Sequence, residues 1–203
     1  MSDILNARIN TAGVYVCLDG YYPFAMGSKL HNGHIPLIRL GGHREEGESG
    51  WQCAAREAYE EARLQIEPLV PQTTYLADGD HLETELQEAQ WEHKTEQEPV
   101  PILVVAYRHE NVTSLSLMYL AQTKGIPSPS SEVKGILLPG KEEIHRLCRE
   151  SVPLEQYLSR GGRAILKDEF DKKLILEPFA QFRFLSRILS MQEKGIYAAK
   201  DHI

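Results

Sequence analysis

The chain has 203 residues, 42% of them hydrophobic and 25% charged, the make-up of a globular domain rather than a disordered or fibrous chain. Its 22 Lys+Arg against 29 Asp+Glu leave a net charge of −7, which argues against a grip on nucleic-acid polymers. No apolar run approaches the roughly 18 residues of a membrane helix. The opening MSDILNARIN has no export signal, and Cys17, Cys53 and Cys148 suit neither a disulfide framework nor a zinc knuckle, so a cytoplasmic location is expected.

In chain order, residues 12–19 (TAGVYVCL) and 34–40 (HIPLIRL) read as strands, the second entered through an Asn32-Gly33 turn. Residues 49–63 read as a helix, and 64–76 as an extended segment whose prolines suit an edge. The stretch 77–100 is acidic, with Glu83, Glu85, Glu88, Glu92, Glu96 and Glu98, and reads as a solvated loop or surface helix. Residues 101–108 (PILVVAYR) and 114–122 (SLSLMYLAQ) are the most strand-like runs, and the short link between them predicts a hairpin. The segment 125–131 (GIPSPSS) is a loop. From about 141 onward the chain reads as mostly helical. There Phe179, Phe182, Leu185, Ile188 and Leu189 form a stripe that suits core packing or a homodimer interface. The class is α+β (mixed α/β). The expected organisation is a domain over 1–150 with a helical C-terminal extension, 151–203, packed on it.

The segment that carries chemistry runs from Gly41 to Leu64 (GGHREEGESGWQCAAREAYEEARL). Ser49 and Gln52 have the spacing of a capping box, so the helix starts there. Trp51, Ala55, Ala58 and Ala62 fall on one stripe, small enough to lie close to a sheet, and Arg56, Tyr59 and Arg63 on a second. Glu57, Glu60 and Glu61 share a third face. Like charges at this spacing oppose an isolated helix by a few tenths of a kcal/mol per pair. They also stand toward the helix C-terminus, where the macrodipole disfavours anions. Local stability does not account for the trio, which is either a solvated acidic face or a site for hard divalent cations.

The spacing Gly42, Glu48, Arg56-Glu57, Glu60-Glu61 resembles the Nudix box, G-x5-E-x7-R-E-U-x-E-E-x-G-U, with U a bulky apolar residue. Six of the seven fixed positions agree over 23 residues, and Leu64 fits the last apolar position. Three positions depart from the pattern: Arg63 replaces the last glycine, Ala58 is small for an apolar position, and Leu40 stands where a proline is frequent. An arginine forced into the left-handed turn that glycine makes easily costs roughly 1 kcal/mol, unless the helix runs on.

The resemblance implies an αβα sandwich around a mixed β-sheet, with the box as a loop–helix–loop. It also implies Mg²⁺- or Mn²⁺-dependent hydrolysis of a nucleoside diphosphate linked to another moiety. By position, Glu57, Glu60, Glu61 and the backbone carbonyl of Gly41 would hold the metal, with Glu60 or Glu61 doubling as base. Arg56 would pair with Glu48 and fix the helix against the loop, with a water-mediated metal ligand as the alternative role for Glu48. Glu132, in a loop after the box, is the candidate for a further base or ligand. Arg39, His43 and Tyr22 are the candidates to touch substrate. The expected partner is a small nucleotide-type diphosphate, not a nucleic-acid polymer or a membrane. The competing reading is a catalytically silent domain that binds a nucleotide or metabolite as a sensor or interaction module.

Overall fold

The computed structural model describes residues 7–27, 32–91, 98–109, 112–167 and 171–200. Glu92, Glu96 and the 110–111 link of the expected hairpin lie outside the described residues.

Two mixed sheets account for all the described strands. The first contains β1 (Arg8–Cys17), β4 (Leu40–His43), β5 (Glu67–Leu69), β6 (Thr74–Asp78), β7 (Gln87–Ala89), β8 (Leu103–His109) and β9 (Val112–Gln122). Its order is β4-β1-β9-β8-β6-β7, with β5 paired to β9. The expected hairpin is the antiparallel β8–β9 pair, in register from Leu103↔Met118 to His109↔Val112. The second sheet contains β2 (Phe24–Met26), β3 (His34–Ile38), β10 (Gly135–Leu138), β11 (Val152–Pro153), β12 (Arg163–Leu166) and β13 (Ile175–Pro178). Its order is β11-β13-β3-β2-β10-β12.

Four described helices complete the architecture: α1 (Gly50–Ala62), α2 (Lys141–Leu147), α3 (Leu154–Ser159) and α4 (Ala180–Lys200). The α+β class holds, with both sheets mixed. The stretch beyond 151 is not purely helical, because β11, β12 and β13 come from it. β12 pairs with β10 and β13 with β3, so this stretch is woven into the second sheet.

Side chains of the first sheet alternate between two cores, as the period of two along a strand requires. Ala12, Val14 and Val16 of β1, Val104 and Ala106 of β8, and Leu115, Leu117 and Tyr119 of β9 pack with Cys53, Ala54, Ala58 and Ala62 of α1. One residue out of step, Tyr15, Leu103, Val105 and Met118 pack with Phe182, Leu185 and Ile188 of α4. The apolar stripe of the last helix is therefore used within the chain's own core. Phe179, just before that helix, stays 39% exposed. Among the described residues no helix is long and apolar enough to cross a membrane.

Candidate active site

The site is assembled where the chain changes sheets. β3 ends at Ile38 in the second sheet and β4 begins at Leu40 in the first, so Arg39 sits on the seam between them. β4 then runs antiparallel to β1, with Gly41 opposite Gly13 and Gly42 opposite Ala12. The backbone requires glycine at position 41. Gly41 has φ +152°, and a Cβ there would lie 2.4 Å from the Ala12 carbonyl oxygen. A Cβ on Gly42 would lie 2.2 Å from Glu57 Oε1.

α1 begins as the sequence predicts. Ser49 Oγ accepts from the Gln52 N–H at 3.2 Å, and Gln52 Oε1 accepts from the Ser49 N–H at 2.8 Å. Its buried face is Gly50, Cys53, Ala54, Ala58 and Ala62, with Trp51 and Ala55 at the margin. The end of the helix resolves the question posed by Arg63. That residue is left-handed, at φ 57° and ψ 27°, and its N–H donates to the Tyr59 carbonyl at 2.9 Å. The helix stops where glycine would have stopped it, and the Arg63 guanidinium lies 5.3 Å from the Tyr59 ring centroid.

Arg56 is the hub of the box. Its Nε donates to Glu48 Oε1 at 2.7 Å and its Nη2 to Glu48 Oε2 at 3.2 Å, a two-pronged pair. Nη1 donates to Glu57 Oε1 at 2.9 Å and to Glu60 Oε2 at 2.8 Å, and Nη2 also reaches the His43 carbonyl at 3.0 Å. The Arg56 hydrogen bond holds the Glu48 carboxyl below the usual range. Arg44, which sequence reasoning passed over, ties the same loop by donating to the carbonyls of Ile9 and Glu48.

Glu61 faces a different environment. Its Oε2 accepts from the Gly41 N–H at 2.9 Å. Burial pushes its carboxyl up to about 7; the Gly41 N–H and Arg39 oppose this, and the charges of Glu57 and Glu132 add to it. Burial also raises Glu57. The loop that carries Glu132 lies against the end of α1, with the Ser130 N–H donating to the Glu61 carbonyl at 3.0 Å. Among the described residues, no three His, Cys, Asp or Glu side chains are gathered closely enough to hold a metal ion.

Arg39 contrasts with Arg56. Its side chain crosses Gly13, where an added Cβ would lie 2.8 Å from Arg39 Cδ and Nε. Among the described residues its buried Nε has no hydrogen-bond partner, and Nη1 makes a long contact, 3.4 Å, to the Gly41 carbonyl. That carbonyl, expected to be a metal ligand, faces this guanidinium. Burial lowers the Arg39 pKa, partly offset by Tyr15, Glu61 and Tyr107.

The other two expected substrate contacts are placed differently from each other. His43 is exposed at the end of β4, with its carbonyl engaged by Arg56. Tyr22 follows the C-terminal end of β1, where its N–H donates to the Pro139 carbonyl at 3.0 Å.

No protein-family model matches the chain, and no curated protein matches it. The chain is similar to solved structures of Nudix hydrolases, the family whose box its own segment resembles. One from Clostridium perfringens is 20% identical, covering 68% of this chain and 83% of that one, with a TM-score of 0.44. One from Nitrosomonas europaea is 17% identical, covering 81% and 99%, with a TM-score of 0.44. A MutT Nudix hydrolase from Burkholderia pseudomallei is 17% identical, covering 68% and 86%, with a TM-score of 0.41.

Proposed function

We propose that the chain is a Nudix-type hydrolase that uses Mg²⁺ or Mn²⁺ to cleave the diphosphate bond of a nucleoside diphosphate linked to another moiety. One observation carries this reading: Glu61 is held against the Gly41 N–H in a buried setting, on the helix that also carries Glu57 and Glu60. Burial raises the carboxyls of Glu57 and Glu61, and buried anions of this kind favour a divalent cation beside them. The donor set is all oxygen, which suits a hard cation.

Glu57, Glu60 and Glu61 are the residues to hold the metal. For Glu57 and Glu60 this means exchanging part of their contact with Arg56. When bound, the metal neutralises phosphate charge and lowers the pKa of water. The protein's own groups do the rest. Arg56 and Glu48 fix α1 against the 43–48 loop. Glu60 or Glu61 takes the proton of the attacking water. Arg39 offers an unspent cation to a substrate phosphate. The three cysteines are free, in keeping with the cytoplasmic reading.

The second reading, a binding module without turnover, has one observation in its favour: Arg56 already occupies both Glu57 and Glu60. A hydrolysis screen separates the two. The panel is nucleoside triphosphates, nucleotide sugars, ADP-ribose, dinucleotides and coenzyme A, each with Mg²⁺, Mn²⁺ or chelator. The hydrolase reading expects metal-dependent cleavage that a Glu60→Gln, Glu61→Gln variant loses. No cleavage of any compound, with heat protection by one of them, favours the module.

A further inference from the structure

We infer that Lys167, which follows β12, is a positioning residue for this site: it straps the loop bearing Glu132 onto the end of α1. The inference rests on the function proposed above. Residue 167 holds the loop on both sides of the acid. Its Nζ donates to the Ser130 carbonyl at 3.1 Å, and its backbone N–H donates to the Lys134 carbonyl at 3.0 Å. The loop is in turn tied to the helix: the Ser130 N–H donates to the Glu61 carbonyl at 3.0 Å and the Ser128 N–H to the Ala62 carbonyl at 2.8 Å. Within the loop, the Glu132 N–H donates to Ser130 Oγ at 3.2 Å.

Burial reinforces the arrangement. Ser130 and Val133 flank Glu132 and are buried, with Val133 in the core under α1. Glu132 itself is left exposed. A Pro-, Gly- and Ser-rich loop has no ladder of its own to hold it. A charged donor on its carbonyl is a stronger tether than a neutral one. The strands beyond residue 151 thus contribute to the site rather than merely cover it.

The test uses Lys167→Met, Lys167→Arg, Glu132→Gln and the Lys167→Met, Glu132→Gln double variant of the full chain. The first readout is amide hydrogen exchange without metal. Lys167→Met is expected to speed exchange at Ser130 and Glu132 by about tenfold, the scale of one charged hydrogen bond, and Lys167→Arg to restore protection. The second readout is Mn²⁺ affinity. Glu132→Gln is expected to weaken it about threefold, as one lost charge near the site would, and Lys167→Met by less, because the removed cation offsets part of the effect of releasing Glu132. The double variant should be no weaker than Glu132→Gln. Unchanged exchange in Lys167→Met, or weakenings that multiply in the double variant, overturns the strap. Mn²⁺ affinity that ignores Glu60→Gln, Glu61→Gln instead counts against the hydrolase reading, and the exchange result still decides the strap.

Discussion

Arg56 and Arg39 flank the glycine pair Gly41–Gly42, and the fold uses them in opposite ways. Arg56 gives its donors to three carboxylates and the His43 carbonyl. Arg39 crosses bare glycine at a seam between sheets, with a buried Nε that no acceptor among the described residues meets. A cation whose donors are all used within the protein holds a loop in place. A cation kept short of partners, beside carboxylates that outnumber it, is available to an incoming anion. The difference follows from topology: Arg56 points along the face of a helix that carries its own acceptors, while Arg39 sits at the one residue between two strands of different sheets.

Removing the carboxylates should have the largest effect. Glu60→Gln, Glu61→Gln is expected to lower kcat by about 10²–10⁴-fold, the range for a lost general base, and to abolish dependence on added Mg²⁺; steady-state hydrolysis of the best panel compound reads it. Next come the two arginines, where the comparison can break. Arg56→Met strands the half-buried Glu48 and Glu57 and is expected to cost about 2 kcal/mol of stability, with the half-exposed Glu60 contact adding little. Urea unfolding reads that loss. Arg39→Met removes an unpaired cation from a tight place, so its urea midpoint should stay equal or rise. Its kcat/KM should nevertheless fall by about 10–100-fold, one charge-assisted contact to phosphate. If Arg39→Met unfolds as readily as Arg56→Met, both arginines are structural and the contrast fails.

How far the sequence could be read depended on how local each cause was. The helix was legible because Ser49, Gln52 and the alanines act within a few residues of one another. The carboxylate set was legible because the box spacing places it on one helix face. The second sheet was legible only in β3, read from residues 34–40. Its strands run only two to five residues, as in Val152–Pro153, Arg163–Leu166 and Ile175–Pro178, too short to display a period of two. They form because the alternating faces of β1, β8 and β9 leave a second core to be covered. The isolation of Arg39 and the tether from Lys167 to Ser130, 37 residues apart, are likewise tertiary facts.

The smallest expected effect concerns a third arginine. Arg63 pays for its left-handed conformation with roughly 1 kcal/mol that glycine would not lose. Its guanidinium recovers about 0.5 kcal/mol of that over the exposed Tyr59 ring. Arg63→Gly is therefore expected to stabilise the chain by about 0.5 kcal/mol, a rise of about 1–2 °C in Tm for a chain of this length, without altering hydrolysis. Calorimetry beside the hydrolysis assay reads both. A fall in Tm would mean that the ring contact outweighs the backbone strain, so that Arg63 is held structurally as Arg56 is. Lost turnover at a raised Tm would instead place its guanidinium with Arg39, as a cation kept for ligand.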